Sequence, residues 1–240
     1  MRKITINLAA VAAFCIVVAS PALVSSSCAT PKTEQEDTTI IREDSGITAL
    51  KYSSPEVPAS IEFCGKTIDL SRFDRHERMD RELLAFTYMH STSLQMLKKA
   101  NRYFPIVEPI LKENGIPDDF KYLMVIESNM NPTARSSAGA AGLWQFMQGT
   151  GRDYGLEVNN NVDERYHIEK ATRAACRYLK DAYAKYKDWV AVAASYNAGQ
   201  ARIASQLAKQ DVDDSLDLQL VEETARYVYR ILAAKQLFNA

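Results

Sequence analysis

Apolar positions recur at helical spacing along most of the chain from residue 79 onward. Leu83, Leu84, Leu94, Leu97, Ala100 and Phe104 predict a helix over Met79–Tyr103. Pro105 suits the start of a second helix carrying Ile106, Val107, Ile110 and Leu111, with Pro109 as a bend. Asn114-Gly115-Ile116-Pro117 reads as its stop, and Asp118 or Asp119 as the cap of a helix through Tyr122–Ile126. Later helices are predicted over Ile168–Tyr186, with Ala171, Ala175, Tyr178, Leu179 and Ala182 on one face, and over Trp189–Tyr196. The last, about Gln219–Phe238, turns Val221, Thr224, Val228, Ile231, Leu232 and Phe238 inward. Period-two patterning is confined to Ile61–Leu70, a short hairpin around Gly65-Lys66. The expectation is a mainly α (α+β) fold with little sheet.

The first 60 residues follow another pattern. Met1-Arg2-Lys3 is basic, and Leu8–Ala19 is an unbroken apolar run of 12 residues. As a helix that run would reach about 18 Å, short of the roughly 30 Å hydrocarbon core. Small residues follow at Ser25-Ser26-Ser27, so residues 1–27 read as an export signal. Two places for the cut stand open: ordinary cleavage within Leu23–Ser27, or lipidation at Cys28, where Ser25 replaces the usual Leu three residues before the cysteine. Residues 28–60, rich in Ser, Thr, Pro and acidic side chains, read as a solvated tether. Residues 61–103 then form an N-terminal helical and hairpin extension, and residues 104–240 a catalytic domain. Cys64 and Cys176 are left for a disulfide or for free, buried thiols.

Composition narrows the chemistry. With 29 basic and 30 acidic residues the 240-residue chain has a net charge of −1, without the basic surplus that nucleic-acid binding requires. Three histidines and four cysteines lie far apart with no metal-ligand spacing, so neither metal nor cofactor is expected.

Glu127 demands an explanation. It follows five largely apolar residues near a helix C-terminus, where burial and the negative end of the dipole both favour its protonated form. Taken alone it could be a surface Glu at a helix end. A small-residue stretch, Ser136–Gly142, then leads into Leu143-Trp144-Gln145-Phe146-Met147. Tyr196-Asn197-Ala198-Gly199 ends a helix, and Glu223-Thr224-Ala225-Arg226-Tyr227-Val228 puts a phenol on the last one.

Glu127-Ser128, Gly142-Leu143-Trp144-Gln145, Tyr196-Asn197-Ala198-Gly199 and Tyr227 together resemble, in order and spacing, the four motifs of the lytic transglycosylases with a soluble-lytic-transglycosylase domain. The Glu-Thr-x-x-Tyr-Val context is similar to the membrane-bound murein transglycosylase D type, and the likeness spans roughly 104–238. The resemblance implies a lysozyme-like fold and non-hydrolytic cleavage of peptidoglycan glycan strands after N-acetylmuramic acid, leaving 1,6-anhydro ends. It makes Glu127 the single acid/base. Ser128 would help fix the site; Ser136, Gln145 and Met147 would line the saccharide cleft. Tyr196 would contact sugar, Asn197 would shape the wall, and Tyr227 would orient Glu127. A periplasmic or envelope location follows, with lipid at Cys28 as one route to the outer membrane. A hydrolytic muramidase and a catalytically silent glycan-binding protein stay open beside it.

Some positions depart from the pattern. Ser137 and Gln148 stand where the family often has Pro, Ser195 replaces a common Ala, and Gly149 and Gly151 loosen an expected helix. Asp153, Asp163 and Glu164 read as capping and surface carboxylates. Peptidoglycan-binding repeats, frequent in relatives, are not expected within these residues.

Overall fold

A computed structural model describes residues 55–239. The export segment, Cys28 and the tether up to residue 54 lie outside the described residues.

Two strands, β1 (Ser60–Phe63) and β2 (Lys66–Asp69), pair antiparallel. The turn is Cys64-Gly65, one residue earlier than the sequence suggested, with φ of 53° and 80°. Both angles are left-handed, as a two-residue hairpin requires. Cys64 is held there because its N–H donates to Asp119 Oδ2 at 2.7 Å, while Lys235 pairs with Asp119 Oδ1 at 2.7 Å. Cys64 and Cys176 are both free thiols, and burial raises each above its ordinary range.

Eight helices follow: α1 (Phe73–Tyr88), α2 (His90–Glu113), α3 (Phe120–Ser128), α4 (Gln148–Asp153), α5 (Ile168–Tyr186), α6 (Trp189–Ala198), α7 (Gln200–Lys209) and α8 (Glu222–Asn239). The expected break at Pro105 does not occur. The break falls instead at Met89, and α2 runs on through Pro105 and Pro109. Both prolines sit on the exposed face, so the backbone carbonyls they leave unbonded can be hydrated. Two expected core positions, Leu94 and Val221, are exposed, the latter by 60%. Val221 precedes α8, so the helical period does not reach it.

Helices α3 and α6 are apolar on every side. Leu123, Met124 and Val125 are fully buried, as are Ala191, Val192 and Ala193. Helices of that kind can only be central. Helix α3 packs against α2 and α8; α6 packs against α5, α7 and α8. Each buried aliphatic side chain contributes about 1.5–3 kcal/mol. The polar ends of these two helices carry Glu127 and Tyr196.

Helix α8 is clamped from outside by α1. Glu82 of α1 is buried and accepts from Arg226 Nε at 2.7 Å and Nη2 at 3.2 Å, and from Arg81 Nε at 3.2 Å. Both arginines are partly exposed and would rehydrate if Glu82 were removed. Glu82→Ala is therefore expected to lower stability by about 1–3 kcal/mol in urea unfolding, below the penalty of stranding a buried charge.

Candidate active site

Helix α3 ends at Asn129, a left-handed residue with φ 49° whose N–H donates to Val125 O at 2.9 Å. The following Met130 is also left-handed, at φ 59°, and fully buried. Two consecutive turns of this hand throw the chain away from the helix directly after Glu127-Ser128. Glu127 thus stands on the last turn, where the helix opens into a long loop.

Protein atoms crowd the Glu127 side chain, leaving it half-buried. Burial is the largest influence on its carboxyl, which is pushed up to about 7. The Tyr227 hydroxyl donates to Glu127 Oε1 and, like the Arg230 charge, pulls the other way; the Glu223 charge adds to the rise. Tyr227 is 3% exposed, so it acts on Glu127 and not on a ligand in the cleft. Burial also carries the Tyr196 and Tyr227 phenols well above their ordinary value.

The loop after α3 folds back on itself. Ser136 N–H donates to Ala140 O at 2.9 Å, and the Ser136 hydroxyl accepts from Ala140 N–H at 3.0 Å. Gly142 N–H reaches Ala134 O at 2.9 Å, and Ala141 N–H reaches Phe146 O at 3.0 Å. The buried Arg165 guanidinium braces this loop. It donates to Gly139 O at 2.8 Å and Phe146 O at 3.0 Å, while Asp163 accepts from its Nε at 2.9 Å and Nη2 at 2.7 Å. At Gly142, with φ 80°, an added Cβ would stand 1.9 Å from Arg165 O, so no other residue fits. Gly151 is not a loosened position: α4 forms there, and a Cβ would meet the Arg165 side chain at 3.3 Å.

Gln145 is left-handed at φ 49°. Its Nε2 donates to Gly142 O at 2.7 Å and Ala134 O at 3.2 Å. Two facing carbonyls fix the amide's orientation, since the reverse would set oxygen against oxygen. Met147 next to it is 45% exposed. Trp144 is fully buried, its indole N–H donating to Thr172 Oγ1 at 2.9 Å.

Other residues expected in the site brace it. Ser128 is buried and its hydroxyl donates to Met124 O at 3.2 Å, within its own helix. The Tyr196 hydroxyl donates to Trp144 O at 2.8 Å, tying α6 to the loop. Asn197 links α6 to α8: its Oδ1 accepts from Thr224 at 2.8 Å and its Nδ2 donates to Glu223 at 3.5 Å. Asp163 caps its turn by accepting from Arg165 N–H at 3.2 Å and also pairs with the buried Arg165 side chain, while Glu164 pairs with Lys170. No role was legible for Arg165, or for Glu223, which stands in the motif leading to Tyr227. Arg165 is signalled only by its Asp two residues earlier, and Glu223 only by lying four residues before Tyr227.

Among the described residues no group of three His, Cys, Asp or Glu could hold a metal ion. Nor is any helix among them long and apolar enough to cross a membrane. The arrangement presents one half-buried carboxyl with a raised midpoint at the end of α3, and one oriented amide and an exposed thioether on the loop that follows.

Residues 105–217 match the family described as the transglycosylase SLT domain. The chain is 30% identical over 168 residues to membrane-bound lytic murein transglycosylase D of Escherichia coli strain K12, covering 68% of this chain and 36% of that protein. It is 31% identical over 123 residues to the peptidoglycan transglycosylase gp16 of Escherichia phage T7, covering 50% of this chain and 9% of that protein. A solved structure, lytic transglycosylase Slt of Pseudomonas aeruginosa, aligns at 22% identity and a TM-score of 0.48 over 56% of this chain and 23% of that one. The chain thus spans little more than a third of the length of the first curated relative.

Two outcomes follow from the carboxyl's position. Removing the Tyr227 donor disfavours the charged form, so Tyr227→Phe is expected to move the Glu127 midpoint above about 7, read by carboxyl-carbon NMR titration. A carboxyl whose folded midpoint exceeds its unfolded one supports the fold fully below about 4.5 and loses that support as the pH rises through about 7. Glu127→Gln is not subject to this loss. Its stability should match wild type near the lower pH and exceed it by about 1–3 kcal/mol at neutral pH, measured by denaturant unfolding across that range.

Proposed function

We propose, for a chain whose residues 105–217 form a transglycosylase SLT domain, that it is a peptidoglycan lytic transglycosylase with Glu127 as its single acid/base. One observation carries this reading: the Glu127 carboxyl titrates near the pH at which it must both give and take a proton, under the hand of the Tyr227 hydroxyl.

Ordinary glycosidases use a second carboxyl group, as nucleophile or as base for water. Here the sugar supplies the acceptor. Protonated Glu127 donates to the glycosidic oxygen between N-acetylmuramic acid and N-acetylglucosamine, and the C1–O bond breaks. The oxocarbenium-like C1 is stabilised by the substrate's own N-acetyl group. Glu127, now a carboxylate, takes the proton of the muramic acid 6-hydroxyl as that oxygen bonds to C1. The 1,6-anhydro ring closes, no water is consumed and Glu127 is protonated again.

Gln145 offers its amide oxygen to a substrate N–H or hydroxyl, since both amide hydrogens are engaged by the loop. Met147 provides an apolar wall, and Ser136 shapes the turn beside it. The Tyr196 ring packs at 6.3 Å from Phe146 and 5.1 Å from Tyr178, a rigid floor for a sugar face. Ser128 and Asn197 serve by holding α3 and α6 in place.

The export signal, with Cys28 as a lipid site and residues 28–60 as tether, would put this domain in the cell envelope facing the glycan strands. Digestion of purified sacculi by wild type is expected to release muropeptides one water lighter than hydrolysis products, and Glu127→Gln to release none. Hydrated products from wild type would instead identify a muramidase, and equal lysis by both proteins would identify contamination.

A further inference from the structure

A second recess opens where α6, α7 and α8 meet. Arg202 and Gln206 of α7, Ala198 at the end of α6, and Leu220, Val221 and Thr224 around the start of α8 line a cavity of about 230 Å³. Ala198, Leu220 and Val221 make one side of it apolar, and none of its lining residues is acidic. The neighbouring carboxylates are engaged elsewhere, Glu222 with Arg81 and Glu223 with Asn197. Arg202 is exposed and has no hydrogen-bond or ion-pair partner among the described residues.

The second donor in this cavity is oriented by a relay. Gln219 N–H donates to Gln210 Oε1 at 2.8 Å. The hydrogens of Gln210 Nε2 then go to Gln219 O at 3.1 Å and to Gln206 Oε1 at 2.7 Å. A backbone N–H has no second orientation, so Gln219 fixes Gln210 and Gln210 fixes Gln206. The Gln206 oxygen is thereby occupied, while its Nε2 keeps both hydrogens without a partner among the described residues. Arg202 and Gln206 stand four residues apart on α7, neighbours on one face. A guanidinium beside an amide nitrogen, with no acceptor to satisfy either, is a receptor for a carboxylate.

We propose that this cavity is a stem-peptide subsite: Arg202 and the Gln206 Nε2 hydrogens bind a carboxylate of the peptide borne by the muramic acid, and Leu220 and Val221 cover an aliphatic part of the same peptide. This rests on the reading of the chain as acting on peptidoglycan, and adds to it a preference for strands that carry peptide. The place of the cavity supports that source. Thr224 in its wall bonds Asn197 at 2.8 Å, beside Tyr196. It also lies three residues before Tyr227 on α8, about 4.5 Å along the helix axis. Tyr227 in turn holds Glu127. A peptide hanging from the lactyl group of the sugar at Glu127 extends by about 3.3 Å per residue, so a few residues span the interval.

Binding is to be read by calorimetry with the Glu127→Gln protein, so that strands stay whole. Three kinds of soluble glycan strand serve as probes: bearing uncross-linked peptides, bearing peptides whose carboxylates have been amidated, and stripped of peptide by an amidase. Peptide-bearing strands are expected to bind most tightly. Adding Arg202→Gln is expected to weaken them about tenfold, to the level of amidated strands, whose own affinity does not move. Gln206→Glu still accepts from Gln210 but replaces the free donors with a carboxylate next to Arg202, and is expected to weaken peptide-bearing strands at least as much. Arg202→Gln removes no contact among the described residues, so its urea midpoint should match its parent. Equal affinity for all three probes, or an equal loss on all three in Arg202→Gln, would overturn the subsite and leave the peptidoglycan reading standing. A loss confined to peptide-bearing and stripped strands would overturn the peptide assignment in favour of the lactyl carboxylate that stripping exposes. No binding of any strand would overturn the subsite and the peptidoglycan reading together.

Discussion

One buried guanidinium organises the cleft. Arg165 carries a full charge into the interior, which is tolerable only because Asp163 neutralises it with two hydrogen bonds from the same side. Its remaining donor capacity goes to Gly139 and Phe146, the two carbonyls that bound the loop carrying Gln145. The loop has no helix or sheet of its own to stabilise it, so this contact sets where its side chains face. Two glycines follow from the same residue. Gly142 lies against the Arg165 backbone and Gly151 against its side chain, so a methyl group at either place would press on the brace itself.

The acid is held from the opposite direction. Helix α8 presents Tyr227 to Glu127, and the register of α8 is fixed by Glu82 of α1 and Asn197 of α6. The hairpin joins in through Lys235, which donates to Glu62 O at 2.6 Å and pairs with Asp119 at the foot of α3. Segments that look accessory in the chain therefore bear on where a single proton sits. The route is short and made of direct contacts: α1 to α8, α8 to the end of α3.

Much of this was readable beforehand. Hydrophobic period located α3, α5, α6 and α8, and the motif residues Glu127 and Tyr227, a hundred positions apart, do meet. Period describes a face, however, not a partner. It could not tell that the Ser128 hydroxyl would bond its own helix, or that the Tyr196 hydroxyl would donate to a backbone carbonyl. The α1–α2 break was misplaced for a related reason. Proline signals a missing donor, but whether a helix tolerates it depends on whether water reaches the orphaned carbonyl, and that is a property of the packed molecule. No role for Arg165 was legible because its significance is entirely in what lies opposite it.

Glutamine is ordinarily an ambivalent side chain, able to swap its oxygen and nitrogen ends to suit whichever ligand arrives. In Gln145 that freedom is gone. With carbonyls at 2.7 and 3.2 Å gripping its nitrogen, turning the amide over would set two repulsions in place of two bonds. The amide oxygen of Gln145 is therefore presented in one sense only: a group that brought a hydrogen to it would be bonded, and one that brought a lone pair would meet another lone pair. A backbone turn has made a permissive residue into a one-way gate for hydrogen bonding.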